Sequence, residues 1–218
     1  MTLFIAGTHT GVGKTLVTAA LAHQTGLRAL KPVITGFDGL AGSDTAILCD
    51  AMGIAPTLDI SPFRFTAPLS PDIAAAREGR RIDLAALVAF CRGDVLVEGI
   101  GGVMTPLNER ETVLDWIAAL ACPVVLVAGS YLGTLTHTLT AVESLRARGL
   151  APNAVIVSES PEAPPLAETV ATLRRFVEPV FVVPRLDGPK PWKAAPQIAA
   201  AAICPLGKPA STGHGAPP

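Results

Sequence analysis

The first residues with chemical meaning form one loop, Gly7-Thr8-His9-Thr10-Gly11-Val12-Gly13-Lys14-Thr15. Small side chains let consecutive backbone N–H groups turn inward around phosphate oxygens. A helix beginning at the lysine adds the positive end of its dipole. Lys14 is then placed for the β- and γ-phosphates of a nucleoside triphosphate, and the Thr15 hydroxyl for Mg²⁺. The spacing is unusual. In G-x-x-x-x-G-K-[ST] the first glycine would fall at Thr8, yet here it is Gly7.

Phosphoryl chemistry also needs a carboxylate on the metal or its waters. Asp94-Val95-Leu96-Val97-Glu98-Gly99 supplies one: an apolar strand that ends in Glu98. Gly99, Gly101 and Gly102 after it leave room for phosphates. Asp44 follows a glycine-rich loop and is a second candidate, although an acid in the first turn of a helix has a structural use of its own. Lys31 closes a short strand and projects toward the same edge as the phosphate loop. Taken singly, it also reads as a strand-end lysine that snorkels to solvent. The four histidines, His9, His23, His137 and His214, do not cluster in sequence and receive neither a base nor a metal role.

These residues require a scaffold of alternating strands and helices. Strands are predicted over residues 3–6, 27–31, 94–97, 123–128, 153–157 and 180–183. Helices are predicted over 14–24, 43–52, 72–78, 83–91, 112–120, 134–148 and 166–176, with Ser43 as an N-cap and Gly149 as a helix stop. The proline-rich stretch 53–71 is expected to be irregular. The pattern implies an α/β fold: a single-domain P-loop NTPase-type parallel sheet with helices on both faces and ligands at the carboxyl ends of its strands. The domain spans residues 1–186. Residues 187–218, rich in Pro, Ala and Gly, form a C-terminal tail that is partly mobile.

Composition narrows the function. With 218 residues, 50% of them hydrophobic and 16% charged, the chain can build a sizeable core and is not a disordered one. Seventeen basic against 18 acidic residues imply no broad basic surface, so no nucleic-acid partner is expected. The apolar N-terminus lacks a basic leader region, and Pro123 interrupts the one long apolar stretch. A cytoplasmic protein with no membrane partner follows. Cys49, Cys91, Cys122 and Cys204 show no metal-ligand spacing and read as free thiols in a reducing compartment.

In order and spacing, several segments together resemble dethiobiotin synthetase from about Thr2 to Leu186. They are GTHTGVGKT (7–15), KPVITG (31–36), Ser43-Asp44, LSPDIAAAREGR (69–80), VEGIGGVMTPL (97–107), PVVLVAGSYLGTLTHTLT (123–140) and PRL (184–186). That family shares the displaced first glycine. The resemblance implies an ATP-dependent ligase of biotin biosynthesis. One amine of 7,8-diaminopelargonate takes up CO₂ as a carbamate, ATP converts it to a carbamic–phosphoric anhydride, and the second amine closes the ureido ring. It implies that Lys14, Lys31 and Thr10 are catalytic. It implies a nucleotide site from Gly11, Val12, Gly13, Lys14, Thr15, Leu16, Asp44, Glu98, Gly99, Ile100, Gly101, Ser158, Pro184, Arg185 and Leu186. Mg²⁺ would be held by Thr15, Asp44 and Glu98. Thr10, Lys31 and Thr35 would meet the amine and carbamate end of the substrate. Gly133, Thr134 and Thr136, at a helix start, would receive its carboxylate across a homodimer interface.

Three departures stand out. Ser158, followed by Glu159, occupies the place where the family often reads the purine with Asn. A hydroxyl cannot make the paired amide contact, so the base choice is open. Asp72 stands where the family motif has His, and Gly11 where some members have Glu. The competing reading is a partition-type regulatory P-loop ATPase. Those proteins carry a lysine where this chain has His9, and they have a basic amphipathic C-terminal helix that this chain lacks.

Overall fold

The computed structural model describes residues 1–161 and 163–198. Six parallel strands form the central sheet: β1 (Thr2–Gly7), β2 (Arg28–Leu30), β5 (Val95–Glu98), β6 (Val124–Gly129), β7 (Ala154–Ser158) and β8 (Val180–Val183). They lie in the order β2-β5-β1-β6-β7-β8. Consecutive residues of β1 from Leu3 to Ala6 are wholly buried, and so are those of β6 from Val125 to Ala128. Burial on both faces explains why these strands are apolar throughout and do not alternate. The chain runs from β1 toward β2 and β5 on one side, then turns toward β6, β7 and β8 on the other. Ligands collect at the carboxyl edge of such a reversal. There the register sets Ile5 of β1 beside Glu98 of β5.

Helices α1 (Lys14–Thr25), α2 (Asp44–Ala51), α3 (Pro71–Arg77), α4 (Leu84–Phe90), α5 (Val113–Leu120), α6 (Thr134–Arg146) and α7 (Leu166–Leu173) flank the sheet. Their starts follow local chemistry. The Ser43 hydroxyl accepts from the N–H of Ala46 at the head of α2, and Thr112 with Asp115 forms a capping box on α5. Phe4 meets Trp116 edge to face at 4.8 Å, which locks α5 to the sheet beneath the site.

One expectation needs correction. The stretch 53–71 is not wholly irregular. It contains β4 (Phe63–Phe65), which pairs in parallel with β3 (Val33–Thr35) as a separate two-stranded sheet. Phe65 is buried there, and the pairing gives residues 33–35 a partner far along the chain. The first part of the tail, residues 187–198, is packed on the domain. A 3₁₀ turn at Pro191–Ala194 buries Trp192 against α1, and Gln24 bonds the backbone of Pro196 and Ile198. The rest of the tail, with Cys204 and His214, lies outside the described residues. Cys49, Cys91 and Cys122 are free thiols.

Candidate active site

The phosphate loop runs from the end of β1 into α1 through Gly11 and Gly13, both at positive φ, a conformation that glycine adopts without penalty. Gly7 has a different reason to be glycine. A Cβ there would lie 2.8 Å from Cδ and Nζ of Lys14 and 2.9 Å from the Gly101 carbonyl. The Lys14 side chain therefore folds back across Gly7, and its ammonium donates to the carbonyls of His9 (2.8 Å) and Gly101 (2.9 Å). Burial, reinforced by repulsion from Lys31, pushes its pKa down to about 8.

Opposite Lys14, the ends of β2 and β5 and the start of α2 bring three charges together. The Lys31 ammonium lies 2.5 Å from Oε1 of Glu98 and 3.1 Å from Oδ2 of Asp44. Lys31 is 4% exposed and Glu98 1%. Burial opposes the lysine's charge, but the two carboxylates outweigh it and hold its pKa above the ordinary value. Asp44 is held below the usual carboxylate range, because the neighbouring Lys31 ammonium outweighs its desolvation. Thr15 also donates to Oε1 of Glu98 at 2.8 Å.

The same donor set suits Mg²⁺. Thr15, Asp44 and Glu98 offer hard oxygens from three elements, and Oε2 of Glu98 is buried with no hydrogen-bond partner. Among the described residues no three His, Cys, Asp or Glu side chains form a metal cluster. Two carboxylates and a hydroxyl instead leave most of the coordination to water and phosphate, as Mg²⁺ prefers.

Lys14, Thr15, Lys31, Asp44 and Glu98 line one cleft of about 910 Å³, together with Thr10, Gly11, Gly13, Thr35, Ile100 and Gly101. The two sheets meet here: Lys31 follows β2, and Thr35 ends β3. Two further contributors carry no chemical signal in the sequence alone. Ser70 lines the cleft with a buried, unpartnered hydroxyl. The Thr105 hydroxyl accepts from the N–H of Gly102 at 2.8 Å and so fixes the glycine turn after Glu98. Gly99 is required from below, since a Cβ would come within 2.9 Å of the Phe4 ring.

A smaller hollow of about 160 Å³ on the far side of the phosphate loop gathers Gly11, Val12, Gly13 and Leu16 with Ser158, Pro184, Arg185 and Leu186. The family resemblance counts these residues in the nucleotide site, with position 158 facing the purine, and the fold brings them together. Gly133, Thr134 and Thr136 line neither hollow. Thr134 gives its hydroxyl to the Gly129 carbonyl and its N–H to Tyr131, while Thr136 is exposed. Asp72 lies in a separate depression beside Arg77 and Arg80.

The histidines depart from expectation, because two of the four do cluster. The rings of His9 and His137 are near-parallel with centroids 6.3 Å apart, and the Tyr131 hydroxyl lies 2.8 Å from Nδ1 of His137. Both histidines line a third cleft of about 530 Å³, which shares Thr10, Gly101, Thr105 and Pro106 with the main one.

Known proteins resemble this arrangement. A protein-family model described as an AAA domain matches residues 1–193. The ATP-dependent dethiobiotin synthetase BioD of Acidiphilium cryptum is 46% identical, over 88% of this chain and 95% of that protein. The enzyme of the same name from Caulobacter vibrioides is 49% identical, over 80% of this chain and 87% of that protein. Among solved structures, the septum site-determining protein MinD with Mg-ADP from Pyrococcus horikoshii has a TM-score of 0.47 and 18% identity, over 84% of this chain and 82% of that one.

Proposed function

We infer the activity from one premise: the chain belongs to the dethiobiotin synthetase family. It is an ATP-dependent carbon–nitrogen cyclo-ligase of biotin biosynthesis, converting 7,8-diaminopelargonate and CO₂ to dethiobiotin with release of ADP and phosphate. The partition-type ATPase is the weaker reading, since relatives at 46–49% identity over most of the chain are named as the ligase.

The residue roles are our proposal. The observation that carries them is the buried Lys31 ammonium, held charged by Glu98 and Asp44 in the cleft that also contains Lys14. One substrate amine adds to CO₂ and loses a proton, leaving a carbamate. A carbamate oxygen attacks the γ-phosphorus, and ADP departs. The second amine then attacks the carbamoyl carbon, expelling phosphate as the ring closes. No strong base is needed. What must be supplied is position and charge complementarity around a phosphoryl group in transfer.

Lys14 moves from its two carbonyl acceptors to the β- and γ-phosphates. Lys31 bridges carbamate and γ-phosphate, and its raised pKa keeps it a cation throughout. Thr10 and Thr35 orient the amine and carbamate end. Thr15, Asp44 and Glu98 would hold Mg²⁺, which would supply charge neutralisation for the phosphates during transfer. We further propose a homodimer in which the start of α6, at Gly133, Thr134 and Thr136, binds the carboxylate of substrate seated on the neighbouring protomer. Exposed Thr136 and the 90% exposed Leu132 beside it support this reading. With both polar groups of Thr134 committed to its own backbone, Thr136 is the side chain we assign to the task. No helix among the described residues is long and apolar enough to cross a membrane.

The deciding experiment is incorporation of labelled bicarbonate into dethiobiotin with diaminopelargonate, Mg²⁺ and ATP. Label that depends on both amine and nucleotide is expected. Folded protein that binds ATP yet incorporates no label rules the assignment out.

A further inference from the structure

We propose that the base subsite accepts guanosine triphosphate at least as tightly as ATP, with Glu159 and Arg185 reading the guanine edge. The proposal takes from the ligase reading only the direction in which the nucleotide lies, with phosphates on Lys14 and base beyond Gly13.

Glu159 follows directly on β7, and its N–H bonds the Val183 carbonyl at 2.9 Å, extending the ladder by one residue. Its side chain does not wave in solvent. Oε2 accepts from the backbone N–H of Arg185 at 2.8 Å, so the carboxylate is fixed between the ends of β7 and β8. Oε1 is left wholly for a ligand, and Oε2 keeps a second lone pair, so the carboxylate can still meet two adjacent donors. Arg185 lines the same hollow, and its guanidinium makes no hydrogen bond or ion pair among the described residues. The subsite thus presents one acceptor-only group and one donor-only group, side by side.

Bases differ in how they answer that pair. Guanine offers O6 and N7 as adjacent acceptors, which a guanidinium meets bidentately, and N1–H with N2–H₂ as adjacent donors for a carboxylate. Adenine offers a single donor group, N6–H₂, flanked by acceptors. Against a carboxylate it satisfies one oxygen at most and sets N1 toward a like partner. Cytosine has a donor and acceptors too, but one donor group only and a single ring to reach both side chains. Ser158 removes the amide that would favour adenine, and its hydroxyl is neutral between the purines. Because Glu159 and Arg185 are partly or fully exposed, solvent screening limits the discrimination to about tenfold.

The test is competitive binding of non-hydrolysable analogues of ATP, GTP, CTP and UTP to the full chain with Mg²⁺, which requires no turnover. GTP analogue binding as tightly as or more tightly than the ATP analogue is expected. Glu159→Gln should lower the GTP-to-ATP affinity ratio about tenfold, and Arg185→Ala should move it the same way. Tighter binding of ATP than GTP by the wild-type protein overturns the proposal. So does CTP matching GTP, or a ratio that Glu159→Gln leaves unchanged. The ratio is taken within each protein, so a loss of stability common to all nucleotides does not disturb it. Bicarbonate incorporation is scored separately. Protein that shows the GTP preference but incorporates no label keeps the base reading and removes the ligase, and the converse result removes the base reading alone.

Discussion

The two ends of the nucleotide site are built on different principles. At the phosphate end the key side chains are packed from several sides. Lys14 is threaded over Gly7, Gly99 is pressed against Phe4, and Lys31 and Glu98 are almost wholly buried. At the base end, Ser158, Glu159 and Arg185 stand at or just beyond strand ends around a small hollow, joined by one carboxylate-to-backbone bond. Phosphoryl transfer is the same whichever base is attached, so its machinery is determined from several sides at once. Base recognition is carried by a few replaceable side chains.

Substitutions should respect that division. The largest effect is expected for Lys31→Ala: ring closure should fall by at least about 10³-fold while nucleotide still binds, since the group acts on charge that develops during transfer. Measured turnover within tenfold of wild type would take Lys31 out of the mechanism. Gly7→Ala comes next. A methyl group 2.8 Å from Lys14 has to push the ammonium aside, and nucleotide affinity should drop about 100-fold by titration calorimetry. An unaltered affinity would mean that Lys14 does not need its path across Gly7.

Glu98→Gln should raise the Mg²⁺ concentration for half-maximal activity about tenfold, read from a metal titration at saturating ATP. An unchanged midpoint would argue that Glu98 serves Lys31 only. A smaller effect is expected from pH. Lys14 must be protonated to pair with phosphates, and its pKa in the free protein is about 8. Affinity for ATP should therefore decline several-fold as pH rises from below 8 to about 9, with the proton uptake on binding that linkage demands. A flat profile would show that the ammonium is not needed in its charged form. The smallest effect is expected at the base end, where Ser158→Asn should shift the nucleotide profile toward ATP about fivefold relative to other triphosphates. If the nucleotide profile does not move, position 158 does not read the base.

How much of this was legible in the sequence follows the same division. The phosphate loop, Lys31, Asp44 and Glu98 could be read because each sits at the end of a strand or the start of a helix with its own local signature, and parallel strands deliver their ends to one edge. The helix at Asp44 announced itself through Ser43. The β3–β4 pair could not be read: each strand has three residues, and the pairing joins segments far apart in a stretch dominated by proline. The approach of His9 to His137 was hidden for a related reason. It depends on β1 and β6 being neighbours in the sheet, which spacing along the chain does not reveal. Trp192 was lost in a compositionally loose tail because burial of a single large side chain has no period.

Lys31 lies between β2 of the main sheet and β3 of the small one, and its N–H is anchored to the Ile60 carbonyl. The ammonium is thus carried on the joint between two separately built plates. Of the residues to which we assign the phosphates and the metal, Lys14, Thr15 and Glu98 adjoin the large plate and Asp44 begins α2, whereas Thr35 belongs to the small plate. Any rocking of the small plate changes the distance between carbamate and phosphate without disturbing how the triphosphate is gripped. The enzyme can therefore lose its timing while keeping its hold, and damage to the buried Phe65 contact should register in turnover before it registers in nucleotide binding.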